Sequence, residues 1–208
     1  MDLARQMESM ESLEAFVETM ADAGFNGILR YLEDRIRTAS YPYPKDNECY
    51  TEEQMRHLVE FAAARGIEMV PCVATLGHAE RFLRHKELLH LSELQGDMKG
   101  RFDGSMKNVF CPTHPDFYPF IEKYIEEVAA IFPSEYFHAG LDEFFNYCLC
   151  PRCKAAAPDY ESQRKMFVDH VIKIHDILAK LGKRMAMWSD MFEIYREAIY
   201  EVPNDILS

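Results

Sequence analysis

The sequence predicts an α/β fold of the (β/α)8 TIM-barrel type, here a partial barrel of about four to five parallel strands with helices. Three observations predict it. Amphipathic helical stretches alternate with short apolar runs along the 208 residues. Strands joined through helices must run parallel, because each helix returns the chain to its starting edge. Chemically capable polar residues follow every apolar run, at the end where a barrel builds its active site.

The elements follow in order. From Ser9 to Ala23, Leu13, Phe16, Val17 and Met20 recur at helical spacing, and Gly24 suits the left-handed stop. Phe25 to Leu32 then reads as a strand. Thr51-Glu-Glu-Gln54 is a capping-box pattern that opens a second helix carrying Met55, Leu58, Val59 and Ala62, closed by Gly66. Ile67 to Ala74 follows as a buried strand. A third helix is expected from about Pro115 to Ile131 and leads into the strand Glu135 to Gly140; a fourth, roughly Glu161 to Leu181, leads into Arg184 to Trp188. A helical piece near Glu193 to Tyr200 and a strand starting at Asp205 complete the pattern.

Composition sets bounds. With 48% apolar and 28% charged residues the chain is a packed globular unit. No Gly/Ser linker divides it, so residues 1–208 are expected to be a single catalytic-domain segment. A complete eight-stranded barrel takes about 250 residues, so the segment is expected to be an incomplete one. A net charge of −12 disfavours nucleic acid and anionic membranes as partners, since both require clustered cations. No run approaches the roughly 18 apolar residues of a membrane span, and the N-terminus lacks an apolar leader. If Met1 is the true start, a cytoplasmic protein is expected. Neither a Gly-rich dinucleotide loop nor a Walker motif occurs.

Of six cysteines, Cys49, Cys72 and Cys111 are scattered, while Cys148, Cys150 and Cys153 form a Cys-x-Cys-x-x-Cys cluster. That cluster offers three thiolates for zinc but no adjoining fourth ligand; its alternative is a loop of thiols.

The polar residues after the apolar runs are Glu33-Asp34, Thr75-Leu-Gly77-His78, His138-Ala-Gly140-Leu-Asp142-Glu143 and Trp188-Ser-Asp190. Taken singly, Glu33 and Asp34 can solvate a loop, His78 can cap a helix and Trp188 can fill a core. Their recurrence after four successive strands points to one shared rim.

His138-x-Gly140-x-Asp142-Glu143 resembles the signature of family 20 glycoside hydrolases, the β-N-acetylhexosaminidases, in which a His-x-Gly-Gly-Asp-Glu run closes the fourth barrel strand. The likeness extends through Tyr50–His78 and Trp188 and covers roughly residues 10 to 208. The combination of Tyr31–Asp34, Thr75–His78 and Trp188–Asp190 looks most like the intracellular hexosaminidase D branch. Leu141 stands where many members carry glycine, and Leu76 where others carry proline.

The resemblance implies an exo-β-N-acetylhexosaminidase that removes terminal N-acetyl-D-hexosamine from a glycan, with retention and with the substrate's acetamido group as nucleophile. Asp142 would hold that group. Glu143 would be general acid and base, which calls for partial burial. Trp188 would wall the acetamido pocket, His78 and His138 would orient the acids, and Asp190, Glu33 and Asp34 would bind hydroxyls. No cofactor is implied. The resemblance also places a sugar-binding arginine on a first strand expected to lie outside this chain. The competing readings are an inactive carbohydrate-binding relative and a metal-dependent barrel hydrolase using His78, His138 and the acids.

Overall fold

The computed structural model describes residues 1–102 and 104–208. Four parallel strands, β1 (Gly27–Tyr31), β2 (Glu68–Cys72), β3 (Tyr136–His138) and β4 (Arg184–Ala186), lie side by side in chain order. Ile28 registers with Met69, Cys72 with His138, and Phe137 with Met185. An order that never reverses is that of a barrel arc; a doubly wound sheet changes direction at a switch point. Two further parallel bridges extend the arc, Asp2 to Tyr31 beside β1 and Ala186 to Leu207 beside β4.

Helices α1 (Met10–Asp22), α2 (Glu52–Ala63), α4 (Phe117–Ala129) and α6 (Tyr160–Lys180) separate the strands, with the short α3 (Glu80–Leu83) and α5 (Pro151–Ala156) inside connections. The capping box of α2 is complete: Thr51 Oγ1 accepts from Gln54 N–H, and the Gln54 side chain accepts from Thr51 N–H. Such a cap contributes about 1 kcal/mol. Leu13 and Val17 of α1, Leu58 and Ala62 of α2, Ile121 and Val128 of α4, and Val171 and Ile174 of α6 are buried. Each large aliphatic side chain contributes roughly 1.5–3 kcal/mol by leaving water.

Strand sides alternate as the pleat requires. On β1, Ile28 and Arg30 are buried, whereas Leu29 and Tyr31 line an open cleft. A second apolar layer lies under the long connections, where Tyr41, Phe82, Phe110, Phe120 and Tyr124 pack with ring centroids 4.9 to 6.3 Å apart. These rings anchor the excursions that rise above the strand ends.

The strands are shorter than their apolar runs, because the chain turns into loops early: Gly140 and Leu141 already have φ of 69° and 75°. The helix expected at Glu193–Tyr200 is instead two 3-10 turns, Asp190–Glu193 and Arg196–Tyr200. Between them Tyr195 leaves helical geometry and buries its ring 5.7 Å from both Phe167 and Tyr160. Among the described residues no helix is long and apolar enough to cross a membrane.

Candidate active site

A cleft of about 480 Å³ opens at the C-terminal ends of the strands, bordered by Arg5, Tyr31, His78, Asp142, Glu143 and Trp188. The loop after β2 brings in His78, whose Nε2 lies 3.2 Å from Asp142 Oδ2 and 3.5 Å from Glu143 Oε2. One ring nitrogen thus reaches both acids, which puts them on the same wall. The hydrogen bond to Asp142 raises the pKa of His78 above its ordinary value, against the opposing effect of burial.

This wall is built from unusual backbone. His78, Leu141 and Glu143 have φ of 50°, 75° and 46°, and Glu33 has φ of 45°. Left-handed backbone at residues other than glycine costs roughly 1–3 kcal/mol each and gathers where surrounding structure over-determines it, commonly at functional sites. Leu141 therefore keeps the backbone that glycine would favour at its position. Gly77 is required for a different reason: a Cβ there would lie 2.5 Å from the Asp142 carbonyl oxygen. Its absence lets the β2 loop close against the acid pair.

Asp190 approaches from the segment after β4, where its Oδ2 accepts a 3.1 Å hydrogen bond from the Glu143 N–H. It positions the backbone of Glu143. His138 sits below, with Nδ1 accepting from Gly140 N–H at 3.0 Å and its ring 4.4 Å from Trp188. The acceptor role of Nδ1 puts the proton on Nε2. Burial pushes the pKa of His138 down to about 4, so it is a neutral floor on which Trp188 rests. Trp188 keeps 41% of its surface exposed in the cleft. Glu143 is 60% exposed, so the partial burial expected of a general acid is not supplied by these residues.

Glu33 and Asp34 do not open onto the cleft. Asp34 is fully buried and bound by Arg81, by Arg84 at 3.5 Å and by the Tyr41 hydroxyl at 3.0 Å. Direct contact of Asp34 with a sugar hydroxyl is thereby ruled out, because its charge is spent on two guanidinium groups. Glu33 is equally buried and reaches the cleft through its partners Arg5, 3.1 Å away, and Tyr31, whose hydroxyl donates to it at 3.2 Å. Burial, then Glu80, pushes the Glu33 carboxyl up to about 7.

Arg5 corrects the expectation that a cleft arginine lies outside the chain. The first residues pair with β1, with Tyr31 N–H donating to the Met1 carbonyl and Leu3 N–H to the Tyr31 carbonyl. Arg35 donates to the carbonyls of Leu3 and Ala4 at 2.6 and 2.9 Å, clamping the segment that carries Arg5. An apolar-then-charged start, Met1-Asp-Leu-Ala-Arg5, was the available signal, too short to read as a strand. Tyr31, which the sequence placed in the motif ending the first strand without assigning it a role, also lines the cleft, and its hydroxyl donates to Glu33 at 3.2 Å.

Two potential metal-ligand arrangements are corrected as well. His78 groups with Glu33 and Glu80, not with His138, and Arg5 already bridges those two acids at 3.1 and 3.2 Å. The cysteines divide differently from the sequence cluster: Cys150 and Cys153 join Cys111, while the Cys148 sulfur faces Met166 at 4.0 Å.

The model of the glycosyl hydrolase family 20 catalytic domain matches residues 1–207. The chain belongs to this family. A β-hexosaminidase of Vibrio furnissii is 26% identical over 220 residues, covering 91% of this chain and 36% of that protein. One from Akkermansia muciniphila is 29% identical over 215 residues, covering 90% and 43%. Hexosaminidase D of Bos taurus is 28% identical over 129 residues, covering 59% of this chain and 33% of its own length. The crystal structure of the family 20 exo-β-N-acetylglucosaminidase from Vibrio harveyi in complex with N-acetylglucosamine superposes with a TM-score of 0.79 at 28% identity, covering 99% of this chain and 36% of that one. The chain thus spans well under half the length of these relatives. Family 20 membership makes the arc part of a (β/α)8 catalytic barrel.

Proposed function

We propose that the protein is an exo-β-N-acetylhexosaminidase that hydrolyses terminal N-acetyl-D-hexosamine β-glycosides with retention, using the substrate's 2-acetamido oxygen as nucleophile. The observation that carries this reading is the pairing of Asp142 and Glu143 on one wall, both within 3.5 Å of His78 Nε2. Two carboxylates serving as acid and nucleophile stand on either side of the scissile bond. Acids gathered on one side suit a reaction whose nucleophile belongs to the sugar.

In this reading Glu143 donates its proton to the leaving oxygen as the bond from that oxygen to C1 breaks and the acetamido oxygen bonds to C1. Asp142 accepts a hydrogen bond from the acetamido N–H and stabilises the cationic ring that forms, while His78 Nε2, 3.2 Å from its Oδ2, holds the carboxylate in place. The Glu143 carboxylate then takes a proton from the water that attacks C1 and reopens the ring. Trp188, flat and half exposed above His138, packs on the acetamido methyl. Arg5, held by buried Glu33, offers hydrogen bonds to ring hydroxyls. A net charge of −12 suits a neutral sugar better than an anionic one.

The test uses the full-length protein with an aryl N-acetyl-β-glucosaminide and the matching aryl β-glucoside, which lacks the acetamido group. Turnover of the first alone, blocked by a thiazoline mimic of the cyclic intermediate, is the expected result. Comparable turnover of the glucoside, or a sugar found attached to Asp142 or Glu143, would overturn it.

A further inference from the structure

Away from the cleft, Glu93, Cys111, Cys150 and Cys153 converge, all buried, with their ligand atoms within 4.8 Å of one another. Folding brings them together from three places. The bridge between Ser92 and Phe110 sets Glu93 beside Cys111, and Cys150 and Cys153 sit at the N-cap and in the first turn of α5. We propose that these four side chains bind one structural zinc ion.

The spacings fit. Cys111 Sγ lies 3.6 Å from Cys150 Sγ and 3.5 Å from Cys153 Sγ, and Glu93 Oε2 lies 3.2 Å from Cys153 Sγ. Tetrahedral zinc, with bonds of about 2.3 Å to sulfur and about 2.0 Å to oxygen, separates its ligands by about 3.5–3.8 Å. The sulfurs are well beyond the roughly 2.05 Å of a disulfide bond.

Charge makes the same case. Glu93 is fully buried, and among the described residues no lysine, arginine or histidine pairs with it; its partners are two backbone N–H groups and a thiol. An unpaired buried carboxylate costs several kcal/mol, and three thiols offer it no positive charge. A divalent cation supplies what is lacking, and three thiolates with one carboxylate carry the same charge as the familiar four-cysteine site.

The ligands are also pre-aimed. Glu93 Oε1 accepts from Leu149 N–H at 2.5 Å and Cys150 N–H at 2.9 Å, leaving Oε2 facing the thiols. Cys150 Sγ accepts from Cys153 N–H at 3.2 Å, and Thr113 Oγ1 lies 3.2 Å from the sulfurs of both Cys111 and Cys153. Such outer contacts fix ligand orientation. A cavity of about 380 Å³ adjoins Cys111 and Cys150 and gives the ion an entry path. None of its lining residues borders the catalytic cleft, so the zinc would be structural. It would tie the connection after β2 to the loop that descends from Asp142 and Glu143. Binding releases the thiol protons, so affinity falls as pH falls.

The experiment measures metal by mass spectrometry in the full-length protein purified without chelator, expecting about one zinc per chain. Cobalt exchanged into the site should give sulfur-to-cobalt charge transfer and tetrahedral d–d bands. Glu93→Gln should weaken zinc at least as much as loss of an outer contact does, about 10–100-fold. Glu93→Cys should retain the metal, and so should Cys148→Ser, whose thiol lies outside the set. If Cys153→Ser fails to fold, zinc titration of chelated parent protein gives the stoichiometry instead. No bound zinc before or after titration, a disulfide joining Cys111 to Cys150 or Cys153, or zinc lost in Cys148→Ser but kept in Glu93→Gln would each overturn the proposal. Every readout is independent of glycoside hydrolysis.

Discussion

Two pairs of adjacent acids end two strands of this sheet, and they meet opposite fates. Glu33 and Asp34 follow β1 and are fully buried; Asp142 and Glu143 follow β3 and keep 25% and 60% of their side-chain surface. Both loops contain left-handed residues, at Glu33 and at Leu141 and Glu143. What differs is the supply of cations. Arg5, Arg81 and Arg84 close over the first pair, whereas the second is met by one histidine and an open cleft. Guanidinium partners consume an acid's capacity to do chemistry, and a titratable imidazole leaves it available.

The largest expected difference between the pairs is in rate. Glu143→Gln should slow hydrolysis of glycosides with poor leaving groups by roughly 10²–10⁴-fold, and aryl glycosides with acidic leaving groups less. Asp34→Asn should leave that leaving-group dependence unchanged. A matched loss in both variants, seen in kcat across a leaving-group series, would erase the contrast.

Stability should show the reverse order. Asp34→Ala removes the partner of two arginines and should cost near the low end of roughly 3–5 kcal/mol in denaturant unfolding, because Arg81 and Arg84 can turn to water. Glu143→Gln should leave the midpoint almost unmoved. Equal destabilisation would mean that Glu143 is structurally committed too.

Titration separates the loops next. The pKa of His138 falls to about 4, so the folded state binds fewer protons than the unfolded one between that value and the ordinary histidine range near 6.5. Its contribution is present above about 6.5 and is lost as pH falls through about 4, on the order of 3 kcal/mol. The Glu33 carboxyl, pushed up to about 7, acts oppositely: the folded state holds the extra proton, so stability falls as pH rises from the ordinary carboxyl range through about 7. His138→Gln should flatten the acid side of the stability profile and Glu33→Gln the neutral side. If neither changes its slope, burial at the two sites has been misread.

The smallest effect tests the close approach of the two loops at the acid wall. Gly77→Ala places a methyl against the Asp142 carbonyl and should cost about 1–3 kcal/mol as an overpacked contact. Activity should fall along with stability, because the carbonyl that moves belongs to Asp142. Unchanged stability and unchanged rate would show that the wall yields freely.

The strand-helix alternation, the capping box at Thr51, the rim of His78, Asp142, Glu143 and Trp188, and the family itself were legible in the chain, because periodicity, caps and a local motif are all short-range properties. The helix expected at Glu193–Tyr200 gave way to two 3-10 turns because burying Tyr195 against Phe167 and Tyr160 outweighed a local preference. Partners distant in sequence remained hidden. Whether an acid pair is spent or available depends on arginines at positions 5, 81 and 84. Glu93 and Cys111 joined Cys150 and Cys153 only because the bridge between Ser92 and Phe110 folds back onto α5. The sequence by itself determined the order of strands and helices and which polar residues follow each strand; tertiary structure alone decided which of those charges meet, since electrostatic neutralisation depends on distance in space and not along the chain.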